Sequence, residues 1–181
     1  MLYGPSYVSR LTALREYGLI PERVDVVESM TTHLTKSFQN EAGRFEYYHC
    51  AKDYYPIGIT QREEEGVSYL IATPEKALCD YIITTPRLPL RFLKDTYMFL
   101  EEDFRLDMDA FRSMNIDIFR QCAVSNYQTS LLVRCMHSFF AIGKLVLRDV
   151  TGMTSSGMYV GMCLLISSIF KNVSTSSMVK T

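Results

Sequence analysis

The sequence predicts an α+β fold: a small antiparallel sheet with a hairpin in the N-terminal half, and a helical C-terminal half. Three observations carry this. β-branched and aromatic strings cluster before residue 73, a four-residue connection with glycine joins two of them, and apolar spacings of three and four dominate after it. Strands come first and helices after, which argues against a βαβ repeat. No internal repeat is visible.

Taken in order, Ser9 is the expected cap of a short helix whose Leu11, Leu14 and Tyr17 share a face. Gly18 supplies the left-handed residue after it, and Pro21 prevents the helix from resuming. Residues 24–30, VDVVESM, read as a strand. The strings LTKSFQ and RFEYYHC flank Asn40-Glu41-Ala42-Gly43 and read as a hairpin. Residues 51–66 read as a loop, broken by Pro56 and Gly58 and closed by the solvated turn Glu63-Glu64-Glu65-Gly66.

The next strand is expected over Val67–Ala72. Thr73-Pro74 then starts a helix, with threonine as cap, proline at the first position and Glu75 in the first turn. Ala77, Leu78, Tyr81 and Ile82 form its buried stripe, and Pro86 and Pro89 end it. Leu90, Leu93, Tyr97 and Leu100 continue at helical spacing. Asp107 is placed to cap a short helix through Phe111, and Asn126 a long one over residues 127–147.

With 181 residues the chain has the length of one domain, and 48% hydrophobic residues suffice for a core. The division expected from composition puts one domain at 1–148 and a Ser/Thr-rich tail of low charge at 149–181. All the acidic residues lie at or before Asp149, and residues 151–181 carry only Lys171 and Lys180. The apolar run 158–170 has thirteen residues, short of the roughly 20 that span a bilayer. The tail reads as a poorly packed or partner-covered appendix, or as a last core helix, rather than as an anchor. The five cysteines stand at least thirteen residues apart, a spacing that supports neither a zinc ribbon nor a disulfide framework and that fits a reducing cytoplasm.

The search for chemistry finds little. His33, His49 and His137 belong to no metal-binding spacing, and no phosphate-binding glycine loop or nucleophile elbow is present. Glu75, Lys76 and Asp80 are the one polar set with a catalytic interpretation, that of a metal-dependent nuclease. An N-terminal acid plus a surface ion pair explains the same residues and is the preferred reading. A net charge of −1 excludes a whole-chain basic field. Local DNA contact would fall to Arg10, Arg15, Lys36 and Arg44, which interleave with aromatic residues. Removing Arg10, Arg15 or Arg44 would then weaken binding uniformly and flatten its salt dependence.

Several strings, in order, carry a resemblance: YGPSYVS from Tyr3 to Ser9, Ala13-Leu14, Tyr17-Gly18-Leu19-Ile20-Pro21-Glu22, Thr31-Thr32, Gly43-Arg44-Phe45-Glu46-Tyr47 and Ile71-Ala72-Thr73-Pro74-Glu75-Lys76-Ala77-Leu78. Together they resemble the AbiEi-type antitoxins of bacterial type IV toxin–antitoxin and abortive-infection modules, over roughly residues 1–140. The resemblance implies a non-enzymatic antitoxin and transcriptional regulator with no cofactor, no metal and no catalytic residue. Its implied partners are a nucleotidyltransferase-like toxin and operator DNA, with no membrane. Family members usually begin with a winged-helix DNA-binding domain, and Met1 falls where their second domain starts, so operator binding by this chain is expected to be weakened. Arg10-Leu11-Thr12 replaces a more usual Leu-Glu-Ser, and the tail departs from the family's charged final helix. The motif residues Gly18, Pro21, Gly43, Thr73, Pro74, Glu75, Lys76 and Asp80 are expected to specify fold. Two alternatives stand beside this reading: the nuclease-like enzyme, and a truncated gene product without present function.

Overall fold

A computed structural model describes residues 3–86, 88 and 93–125. The class is α+β, as expected. The chain runs β1 (Ser6–Val8), α1 (Arg10–Glu16), β2 (Val26–Thr31), β3 (Lys36–Asn40), β4 (Gly43–His49), β5 (Ile59–Glu64), β6 (Val67–Ala72) and α2 (Pro74–Thr84). Then follow α3 (Leu93–Met98), a π-helical turn (Phe99–Asp103), α4 (Met108–Ser113) and α5 (Ile116–Val124). The expected helix over 127–147 and the boundary at 148 lie outside the described residues.

The sheet is larger than expected and mixed rather than antiparallel. Its order is β3-β4-β2-β1-β6-β5. β3–β4, β1–β2 and β5–β6 pair antiparallel, whereas β2–β4 and β1–β6 pair parallel. Two strands absent from the sequence reading account for the size, and the parallel pairing of β2 with β4, two strands that were expected, makes the sheet mixed together with β1–β6. β1 has only three residues and sits inside YGPSYVS, which a turn-forming Gly-Pro disguises. β5 occupies the charged end of the expected loop and pairs through a two-residue turn in which Glu65 and Gly66 both have positive φ. That turn geometry matches the twist of a hairpin.

α1 ends as its sequence dictates. Gly18 takes φ +69°, its N–H bonds to the Arg15 carbonyl, and the Leu19 N–H bonds to that of Leu14. Both orphan carbonyls are thereby satisfied. The helix start differs from expectation: the Ser9 side chain makes no cap bond. Glu28 reaches across from β2 instead and accepts the Leu11 N–H at 2.9 Å. Thr73 does cap α2, accepting from the Lys76 N–H, and Asp107 caps α4. Buried Ala13, Leu14, Met30, Ile71, Leu78, Ile82, Leu100, Phe111 and Phe119 form one continuous core over the sheet and the helices.

Candidate functional site

α2 is buried nearly all round, with Glu75 through Asp80 and Ile82 shielded from solvent. The ion pair expected on the surface is therefore inside the protein. Lys76 and Asp80 are both fully buried and lie 3.6 Å apart, Nζ to Oδ1. Their burial is tolerable because every polar atom has a partner. Asp80 Oδ1 accepts from the Tyr54 hydroxyl at 2.7 Å, and Oδ2 accepts from Ser9 Oγ at 2.6 Å and the Tyr7 hydroxyl at 3.1 Å. Lys76 Nζ donates to the Tyr54 carbonyl at 2.9 Å and sits against the Tyr54 ring face, 2.9 Å from its centre. Burial beside the Asp80 carboxylate pushes the Tyr7 and Tyr54 phenols well above their ordinary range.

Glu75 faces elsewhere. Its Oε1 accepts the Asn115 N–H at 2.7 Å, holding the residue that caps α5. Asp80 and Glu75 thus spend their oxygens on different partners, and the set does not fit a metal-dependent nuclease: two carboxylates would have to converge on one cation. Among the described residues, no group of three or more His, Cys, Asp or Glu is placed to hold a metal ion.

Thiols adjoin this network. Cys50, Cys79 and Cys122 are free and buried. Desolvation pushes the Cys50 thiol up to about 11 and the Cys79 thiol well above its usual value, so neither is an activated nucleophile. His49 and Cys50 do not cooperate either: His49 Nδ1 engages the His33 carbonyl at the surface.

The four basic residues do not form one patch. Arg10 is buried, at 7% exposure, and is withdrawn from the DNA-contact set for that reason. Its Nε bonds Glu28 at 3.1 Å, its guanidinium lies 3.9 Å from the Tyr48 ring centre, and Nη1 bonds Thr84. A φ of +55° aims it inward. Arg15 is exposed and donates to the Val24 carbonyl. Lys36 pairs in register with Tyr47, and Arg44 with Gln39, so the two lie on opposite faces of the hairpin. Arg44 is further neutralised by Glu46 at 2.5 Å.

Two shallow clefts open on the surface. One, of about 430 Å³, is lined by Glu16, Arg62, Glu63, Glu64 and Tyr69, and Arg62 already pairs with Glu16. The other, of about 380 Å³, is bordered by Asp53, Ile57, Arg120, Gln121, Val124 and Ser125. Neither gathers the predicted site residues.

Sequence reasoning missed Tyr7, Ser9 and Tyr54 because each lies far along the chain from Asp80. One signal was available: Ala77, Leu78 and Cys79 point in three directions around α2, the pattern of a helix buried on every side. A lysine and an aspartate on such a helix must pair internally. No family model matches this chain, and no curated protein matches its sequence significantly. Among the described residues, no helix is long and apolar enough to cross a membrane.

Proposed function

We propose that this chain is a non-enzymatic antitoxin and transcription-regulator domain, similar to the AbiEi type, that neutralises a nucleotidyltransferase-like toxin in a bacterial cytoplasm. One observation supports the reading above others: the family-like strings fall at the joints of the fold. Tyr17 to Glu22 make the turn that ends α1, Gly43 opens β4, and the string from Ile71 to Leu78 carries the Thr73 cap and the buried Lys76. Tyr7 and Ser9, inside YGPSYVS, bond Asp80. Strings that build a scaffold are what a shared fold requires, and they supply no reaction centre. The one set with a catalytic interpretation is consumed by internal bonds.

Operator repression belongs, in this proposal, to the full-length form of the antitoxin. In the present domain Arg15, Lys36 and Arg44 are exposed cations without a common face, a poor arrangement for tracking phosphates.

Co-expression with a nucleotidyltransferase-like toxin, sought in the flanking genes, tests the proposal. Restored growth is the expected result, and unrelieved arrest overturns it. Magnesium-dependent cleavage of DNA or RNA that Lys76→Ala abolishes without unfolding the chain would also overturn it, in favour of an enzyme.

A further inference from the structure

The two edges of the sheet are built differently. β5 crowds Arg62, Glu63 and Glu64 onto its length, with Glu65 in the turn beyond. Such charges discourage pairing with another strand. β3, at the opposite edge, reads Lys36-Ser37-Phe38-Gln39-Asn40, with a single charge at one end and neither a proline nor a bulge.

Which backbone groups of β3 face outward follows from its turn. Asn40 and Gly43 close a two-residue connection and exchange both hydrogen bonds, so Phe38–Phe45 and Lys36–Tyr47 are bonded pairs as well. Alternation then directs the N–H and C=O groups of Ser37 and Gln39 away from β4. Among the described residues no hydrogen bond reaches them.

We infer that β3 is a self-complementary edge through which two copies of this chain pair antiparallel about a two-fold axis at Phe38. In that register Ser37 of each copy stands opposite Gln39 of the other, and their four outward amide and carbonyl pairs are satisfied at once. Phe38 meets Phe38 across a non-bonded pair, where side chains approach most closely, which favours an aromatic contact. Lys36 stands opposite Asn40, beside the turn that carries Glu41 of the second copy, so no like charges oppose and two opposite ones approach. Leu34, 80% exposed at the entry to β3, runs toward Ala42 of the second copy and loses its exposure.

Each copy brings an ordered platform to the seam. Tyr47 packs edge to face with Tyr3 and Phe38, which tilt against each other, with ring centres 5.4–5.8 Å apart, and Lys36 Nζ lies 4.8 Å from the Phe38 ring centre. The side chain that would meet its twin is therefore already held in place. Pairing extends this aromatic surface across both molecules. The inference stands apart from the antitoxin reading, since the backbone groups that carry it belong to Ser37 and Gln39, outside the strings of the resemblance, and its test involves no toxin.

Sedimentation of the full chain from micromolar to sub-millimolar concentration should reveal a monomer–dimer equilibrium. Ser37→Pro removes an outward N–H that β4 does not use, so the fold tolerates it as edge strands tolerate proline. It should raise the dimer dissociation constant about tenfold or more. Phe38→Cys offers an independent readout, because directly opposed cysteines can form a disulfide whereas Lys36→Cys, displaced along the strand, cannot reach its twin. Under mild oxidation by a disulfide such as oxidised glutathione, Phe38→Cys should give covalent dimer faster than Lys36→Cys or the unsubstituted chain. A monomer at every concentration overturns the inference. So does a dimer indifferent to Ser37→Pro, or cross-linking no faster at position 38 than at 36.

Discussion

Asp80 is the residue on which most of the interior polarity converges. Three hydroxyls and one ammonium surround a carboxylate that water cannot reach. Removing one partner from a buried pair leaves the other charge uncompensated, at about 3–5 kcal/mol. Asp80→Ala should therefore lower stability by about that amount in urea unfolding. The double variant Lys76→Met, Asp80→Leu should recover part of the loss, because it removes both charges together. Equal or greater destabilisation in the double variant would mean that the hydroxyl partners, not the charges, set the cost. At this scale the sequence was legible in residue type but not in placement. Lys76 and Asp80 are visible as an i, i+4 pair, and the apolar residues Ala77, Leu78 and Cys79 between them hint at burial, yet the hydroxyls that receive Asp80 lie far along the chain. Arg10 shows the same gap: its charge is legible, while its partner Glu28 and the rings of Tyr48 and Tyr81 come from three other elements.

At the level of elements, punctuation decided what could be read. The turn after α1, the β3–β4 hairpin and the start of α2 were all visible, because glycine and proline act locally. β1 and β5 were not, since a three-residue strand and a charged edge strand owe their form to neighbours. Two glycines separate these kinds of information. Gly18 has φ +69° and open space around the position of a side chain. Gly18→Ala should cost about 1 kcal/mol, from backbone strain alone. Gly58 has φ +58°, and an added Cβ would meet Ile118 Cγ2 and Lys76 Cβ at 3.0 Å. Gly58→Ala should cost about 2–4 kcal/mol, because overpacking adds to the strain. Thermal unfolding of the two variants orders them, and equal losses would show that the packing around Gly58 yields freely.

Over the whole molecule, buried acids that bind their protons too tightly set the response to alkali. Cys50 titrates at about 11 in the folded chain against an ordinary 9.0, chiefly through burial. The phenols of Tyr7 and Tyr54 are raised further, by burial and by Asp80. Each raised group favours the folded state fully while it stays protonated in both states. That contribution is lost as the pH climbs past the ordinary value, where the unfolded chain ionises first. These raised groups leave stability unchanged up to about pH 9 and lower it steeply beyond. Urea midpoints at pH 8 and 10.5 would measure this, with the tyrosinate absorbance due to Tyr7 and Tyr54 appearing only as the fold is lost. Cys50→Ala should delay the decline toward pH 10. Early, fully reversible ionisation of all the tyrosines in the folded chain would contradict the burial described for Tyr7 and Tyr54.

β1 lies between β2 and β6, joining the two halves of the sheet, and its Tyr7 and the following Ser9 reach Asp80. A growing chain emits that strand before the other five and its last partner more than sixty residues later. At about 5–20 residues per second the ribosome needs several seconds to cover that interval. Once β2 has followed, the first strand can have it on one side and keeps an open flank on the other. The birth of this fold thus has a waiting period, ended when Ile71 arrives beside Val8 and α2 brings Asp80 down onto two hydroxyls made some seventy residues earlier. A synonymous-codon change that slows translation within residues 32–70 would lengthen that exposure without altering a single side chain.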